Sequence, residues 1–267
     1  MNGVKYVLKD ITNNWYRIYS IAKYELLSDI RDSRLGILWN VINPLVQIMT
    51  YLFVFGMGIR GGKAVQGIEF FSWMLVGMMV WFFVSPCMTE GVKSIHLKTN
   101  IITKMKFPVS ILPITVVLKE LFNHLFMLAI VYIVLIFRGI SPSIYNLGVF
   151  YYMICAIMLT ISINMITSVL NMFTRDVKKI VNASMKILMY LTPILWTMDN
   201  LPKGIQNLMK CNPFYYVVEG YRNCLLFHDS MITSLTQTIF FWFIVIVLFI
   251  IGSNLLYKFK YKFIDLI

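Results

Sequence analysis

Three histidines, four cysteines and one short run of ionisable residues are the groups in this chain whose types could do chemistry. His96, His124 and His228 lie in three separate segments, without the spacing that would bring them onto one metal ion. Cys87, Cys155, Cys211 and Cys224 contain no Cys-x-x-Cys pair. Cys211 and Cys224 share one segment and are near enough in sequence to bridge, with free thiols the favoured state. No Gly-x-x-x-x-Gly-Lys-Ser/Thr run is present, so the chain has no phosphate-binding loop for ATP. Lys119, Glu120 and His124 open an apolar stretch, where ionisable groups call for a functional explanation. Lys119 and Glu120 sit where a lysine can snorkel to the headgroup level. Glu219 and Arg222, three residues apart, share a helical face, either as a local ion pair or as part of a gate. Asp29, Asp32 and Asp176 are too scattered to form an acid–base site. No catalytic constellation results, and the chain reads as no enzyme on its own.

The elements that carry these residues follow from composition. Of the 267 residues, 59% are hydrophobic and only 13% charged. Soluble domains average roughly 25% charged residues. One water-soluble core cannot hide this much apolar surface, so the solvent must be a bilayer. The net charge of +12 would suggest nucleic acid in a soluble protein. Here it reads as the basic excess of cytoplasmic loops, and no nucleic-acid partner is expected. The opening residues lack the apolar region and cleavage site of a secretory signal.

Six segments are long and apolar enough to cross: 37–58, 68–88, 112–137, 147–173, 180–196 and 236–257, the fifth being the shortest. Sixteen of the 24 Lys and Arg fall in 1–36, 89–111, 174–179 and the tail, against six in the alternate loops. This places both termini in the cytoplasm. Trp39, Trp73, Trp81, Trp196 and Trp242 near span ends fit the headgroup layer. The expected fold is an all-α membrane protein: a cytoplasmic segment 1–36, a six-span domain 37–257 and a basic tail 258–267.

Three segments are not spans. In 15–34, Trp15, Ile18, Tyr19, Ala22, Leu26 and Ile30 recur at helical spacing, with Arg17, Lys23 and Arg31 between them. That is an amphipathic helix lying on membrane lipids, serving as anchor, docking surface or gate wall. The loop 90–112 is patterned as a short helix on which a soluble partner could push, or is a solvated basic loop. The outer stretch 199–227 reads as two short helices dipping into the membrane, capped by Asn200 and Asn212, with Pro213 opening the second.

Laid out in this way, nearly the whole chain resembles the permease subunit of ATP-binding-cassette type 2 exporters of cell-surface polymers. The motifs are Leu35-Gly36-x-x-Trp39, Asn43-Pro44 and Val54-Phe55-Gly56 around the first span, then Trp81-Phe82-Phe83, Ser94-Ile95, Asn100, Lys104 and Phe107-Pro108. Arg175-Asp176-Val177 and Asn212-Pro213 with Glu219 and Arg222 follow in order. The resemblance is strongest to wall teichoic acid exporter permeases, through the Gly56–Gly62 run and Val65-Gln66-Gly67, and next to O-antigen exporters. A capsular polysaccharide or, more remotely, a drug is the alternative cargo. Richness in Ile, Lys and Asn points to a Gram-positive host.

The resemblance implies a homodimer around a central path, with two copies of a separate cytosolic ATPase that binds ATP and Mg. This chain would bind no cofactor. Ser94, Ile95, His96, Asn100 and Lys104 would couple to the ATPase. Asn212, Pro213, Glu219 and Arg222 would form the outer gate. The cargo would be a polymer on undecaprenyl pyrophosphate. Arg31 and Arg34, just before the first span, are placed for its pyrophosphate or for lipid headgroups. Tyr51, Phe55, Phe82 and Phe83 could offer sugars a sliding surface. A stand-alone carrier would show buried charges or inverted repeats, and neither is evident.

Overall fold

A computed structural model of the chain describes residues 2–31, 36–59, 64–100, 107–199, 201–228 and 234–260. The described residues are helical apart from turns and one isolated bridge between Val65 and Ile68. The two residues between them, Gln66 (φ 49°) and Gly67 (φ 83°), both take the left-handed conformation that a two-residue hairpin turn requires. The all-α expectation therefore holds.

The long helices are α3 (Trp39–Tyr51, continuing as a π-helical stretch Leu52–Ile59), α4 (Phe70–Gly91), α5 (Leu112–Phe137), α6 (Gly148–Phe173) and α10 (Leu235–Phe259). With their flanking turns they are, among the described residues, the five helices long and apolar enough to cross a membrane. The segment expected to supply another span is a shorter helix, α7 (Asp176–Leu191), of 16 residues. At 1.5 Å per residue it reaches about 24 Å, below the roughly 30 Å hydrocarbon layer. Asp176, Lys178, Lys179 and Lys186 make it polar as well. It stops because Thr192, preceding Pro193, is extended (ψ 133°).

Two helices precede the first span. α2 (Trp15–Arg31) is the expected amphipathic helix. α1 (Asn2–Asn13) was not foreseen. It lies along the end of α10: Gly3 abuts the Ser253 and Asn254 backbone, the Tyr6 and Tyr257 rings meet edge-on at 5.6 Å, and Lys260 covers both rings. Asp10 accepts a 2.5 Å hydrogen bond from Ser110, tying α1 to the start of α5. Beyond α7 come the two expected short helices, α8 (Lys203–Lys210) and α9 (Pro213–Arg222). Asn212 caps α9 by accepting from the Phe214 amide at 3.0 Å, and Pro213 takes the first position. The cap assigned to Asn200 lies outside the described residues.

α4 is the centre of the bundle. Its most apolar window is 78% buried, against 11% for α3, and it touches α3, α5, α6, α7 and α9. Between helices in lipid the hydrophobic effect gives little attraction, so close approach and interhelical hydrogen bonds must hold them. Gly91 lets the Asn164 amide of α6 lie on α4 and donate to the Cys87 carbonyl at 2.9 Å. Gly220 of α9 accepts the Tyr152 ring of α6 in the same way. A methyl group at either site collides with these side chains, whereas Gly204 faces open space. Gly91→Ala and Gly220→Ala are each expected to cost about 1–3 kcal/mol, and Gly204→Ala nothing. Thermal unfolding in mild detergent reads the difference; equal melting of all three variants would refute this packing account.

Candidate functional site

One face of α3 is polar. Asn40, Asn43 and Gln47 follow at helical spacing within a helix whose outward residues Leu45, Val46 and Met49 are exposed and apolar. All three amides line one cavity, and Gln47, with Phe82 and Pro86, also lines a second one beside it. The first, about 230 Å³, is closed on its other walls by Glu120, Asn123 and His124 of α5. The second, about 440 Å³, is closed by Ser85 and Thr89 of α4 and by Asn182 and Lys186 of α7. Together they form a groove with polar walls between otherwise apolar helices. Such groups face hydrocarbon only at a cost of several kcal/mol each.

Two prolines shape it. Pro44 inside α3 and Pro86 inside α4 leave the carbonyls of Asn40 and Phe82 without their usual helical donors, and both of those residues line the groove. A polar ladder crosses its floor. Asn40 donates to Asn123 at 3.0 Å, Asn123 to Glu120 at 3.1 Å, and Lys119 meets Glu120 at 3.6 Å and Asp29 of α2 at 2.6 Å. Lys119 thus does not snorkel alone; α2 holds it. His124 is buried, with Nε2 2.9 Å from the Tyr221 hydroxyl of α9.

The aromatic residues singled out from the sequence divide. Phe82 lines the groove. Tyr51 stands at its edge, its hydroxyl donating to the Met189 sulfur at 3.7 Å and its ring 6.3 Å from that of Phe55. Phe83 does not line it: the ring is 1% exposed and packs on His124 at 4.9 Å. One helical step separates Phe82 from Phe83, so only one can face the groove.

The gate residues form a fastening. Arg222 is 0% exposed and donates to the carbonyls of Pro193 (2.7 Å), Ile194 (3.0 Å) and Trp73 (3.3 Å) and to Glu219 (3.3 Å), its guanidinium 3.4 Å above the Trp73 ring. Asn212 also donates to Thr192 Oγ1 at 3.0 Å. Arg222 thereby locks α9 to α4 and to the turn after α7. Cys211 and Cys224 form no disulfide; one is exposed and the other buried.

At the other end, the coupling residues also divide. Ser94 and Ile95 are buried and cannot offer their side chains to a partner on this surface. They follow directly on α4 and point back into the bundle. His96 is half-buried, while Leu97 and Asn100 are exposed. Lys98 pairs with Glu25 of α2 at 2.7 Å, so α2 is tied to this turn as well as to α5. Arg31 is exposed at the end of α2. Arg34 and Lys104 lie outside the described residues. Sequence reasoning missed Asn40 and Gln47, although three amides at one helical spacing inside a span were visible. It also missed Glu25 and set Asp29 aside as one of three scattered acids, although the two lie four apart on α2 and both pair with lysines.

A family model of the ABC-2 type transporters matches residues 16–226, from α2 to the end of α9. The chain belongs to this family. It is 27% identical over 248 residues to the O-antigen export system permease protein RfbA of Klebsiella pneumoniae, covering 92% of this chain and 93% of that protein. It is 25% identical to the RfbA of Myxococcus xanthus, over 77% of this chain and 78% of the relative. With the polysialic acid transport protein KpsM of Escherichia coli it shares 22% over 72% of this chain and 74% of that one. The matched region contains the whole groove and the Arg222 fastening.

Truncating Arg222 strands three buried carbonyls and the Glu219 carboxylate. Arg222→Met is expected to cost this transporter chain about 3–5 kcal/mol. Arg222→Lys should recover only part of that, because an ammonium cannot reproduce the planar fork. Denaturant unfolding in detergent measures both; a Lys variant as stable as the parent would show that the fork is not what holds α9.

Proposed function

We propose that the chain is the membrane subunit of an ATP-driven exporter that carries a lipid-linked cell-surface polysaccharide through the groove between α3, α4, α5 and α7. The observation that carries this reading is the polar face of α3, lining two adjacent cavities inside an apolar bundle. A polar polymer needs such a path, since hydrocarbon satisfies none of its hydroxyls. The O-antigen and polysialic acid relatives support a polysaccharide cargo. A wall teichoic acid on the same lipid carrier is the rival cargo, favoured by the Gly56–Gly62 run.

Both termini lie in the cytoplasm on this reading, as the basic residues of α2 and of the α4–α5 loop require. α7, extended by the turn 192–196, makes the sixth crossing, and α8 and α9 dip into the outer leaflet as the gate. A second copy covers the open side of the groove. The exposed apolar residues of α3 and of α7, Met49 and Ile187 among them, support such contacts with a copy or with lipid. The undecaprenyl pyrophosphate head enters sideways past α2, with Arg31 and Arg34 at the headgroup level.

A separate cytosolic ATPase binds ATP and Mg and pushes on the loop after α4, through His96 and the exposed Leu97 and Asn100, with Lys104 further along the same loop. Ser94 and Ile95 act beneath them as the buried root of the lever. Because α2 is paired to this loop through Glu25–Lys98 and to α5 through Asp29–Lys119, a push there reaches α2 and the groove together. ATP then works by favouring one of two arrangements of the bundle.

Gentle purification from native membranes is expected to yield the chain with a stoichiometric ATPase, whose hydrolysis rises several-fold with an undecaprenyl-pyrophosphate-linked polymer. Isolation of the chain alone, under conditions that preserve a known exporter complex, would overturn the proposal.

A further inference from the structure

We propose that Asp10 is a positioning residue for the ATP-driven movement: it pins the return end of the α4–α5 connection to α1, so that a push on the connection is passed on and not absorbed. This rests on the function proposed above and adds the fixed point that such a lever needs. The two ends of the connection are built differently. The outgoing end continues α4 through hydrogen-bonded turns, the Val92 amide donating to Met88 at 3.2 Å and the Ser94 amide to Gly91 at 3.1 Å. It is rooted by the buried Ser94 and Ile95. At the return end Pro108 has no amide to donate and its backbone is extended (ψ 96°), so no helix leads into the short 3₁₀ turn Val109–Ile111 before α5. That turn is held by packing and by a bond from another segment.

Asp10 makes that bond. Ser110 is 1% exposed, and its hydroxyl donates to the Asp10 carboxylate at 2.5 Å, a length usual for a hydroxyl on an ionised acceptor. The Thr115 and Thr160 hydroxyls bond to carbonyls in their own helices, whereas Ser110 reaches a different part of the chain. Asp10 follows the buried Gly3 and Val7 at helical spacing, on the inward face of α1. Its main-chain carbonyl accepts from the amide (3.1 Å) and the side chain (2.9 Å) of Asn14, the residue between α1 and α2. One residue thus joins α1, the start of α2 and the return turn. α1 is itself anchored on α10 by Gly3, Tyr6 and Lys260, and Gly252 sets α10 closely against Met165 of α6. The outgoing half of the connection is held by the partly exposed Glu25–Lys98 pair, which can yield. The return half is held by a bond whose loss strands a buried hydroxyl. A push is transmitted when one end yields and the other does not.

The test uses the chain with its ATPase in lipid nanodiscs, in a chain carrying Cys211→Ser and the groove reporter Asn43→Cys. Maleimide labelling of the reporter is timed without nucleotide and after trapping with ATP, Mg and vanadate, and trapped nucleotide is counted in each sample. In the parent, trapping should change the labelling rate about tenfold, the size of an ordinary coupling between two sites. At equal trapped nucleotide, Asp10→Ala and Ser110→Ala should each shrink that change to about twofold, as loss of one hydrogen bond can. The double variant should be no worse than either, because both remove the same bond. Asp10→Asn keeps an oxygen for the Ser110 hydroxyl and should restore most of the response. Lys9→Ala, exposed on the same helix, should respond like the parent. A general loosening of the fold would lower complex yield and trapping together with the response, and so reads differently from lost positioning.

If the parent responds and Asp10→Ala responds equally, the positioning role is overturned while the exporter reading stands. The same holds if the losses from Asp10→Ala and Ser110→Ala add in the double variant, or if Asp10→Asn restores nothing, since the bond between them would then not be the cause. If the parent traps nucleotide without any change at the reporter, the proposed drive of the groove falls and the role of Asp10 with it.

Discussion

Among the described residues, one fully buried cation, Arg222, fixes one end of this bundle. Arg222 spends its donors on carbonyls from two other parts of the chain and on Glu219, with its flat face on Trp73. A buried charge is tolerable only when its surroundings satisfy it, and here they do. The consequence is geometric. Because the turn after α7 and the middle of α4 both converge on one guanidinium, α9 has little freedom to slide. Tyr221, the neighbour of Arg222, is thereby held where its hydroxyl reaches His124 on α5. The wall of the groove and the outer helices are thus parts of one connected structure.

The opposite end is built on looser terms. α2 is joined to the bundle by ion pairs whose members are partly exposed, Glu25–Lys98 and Asp29–Lys119. Such pairs are worth little singly, typically below about 1 kcal/mol, and can exchange partners without rupture of a core. One end of the bundle is thus fastened rigidly and the other held loosely. α3 belongs with the yielding part: barely buried, broken by Pro44 and ending in a π-helical stretch. Irregular helices of this kind occur where a span must bend or expose backbone.

Much of this was legible in the sequence because apolar length and flanking charge are direct consequences of the bilayer. The long spans, the amphipathic α2 and the Asn212–Pro213 start of α9 follow from those rules. What was not legible depends on tertiary contact. α1 has no apolar run and gains its place by packing on α10 through Gly3 and Tyr6 and by the Asp10–Ser110 hydrogen bond. The bounds read as 180–196 differ from the helix itself, which begins at Asp176 and ends at Leu191, where Thr192 and Pro193 turn the chain and Arg222 holds the turn. Phe82 and Phe83 are equivalent as letters; only the rotation of α4 puts one in the groove and the other on His124. The amides of α3 were readable as a stripe, but their meaning required the cavity opposite them.

Reactivity along α3 tests most directly whether the groove is a wet path. In a chain carrying Cys211→Ser, to remove the exposed native thiol, single cysteines are placed by Asn43→Cys and Gln47→Cys, and by Val46→Cys and Met49→Cys. A membrane-impermeant maleimide is applied to vesicles open on both sides. If water fills the groove, the first pair reacts at least tenfold faster than the second, which faces lipid or the second copy. Equal rates, or faster reaction at Val46 and Met49, would contradict a polar path on this face of α3.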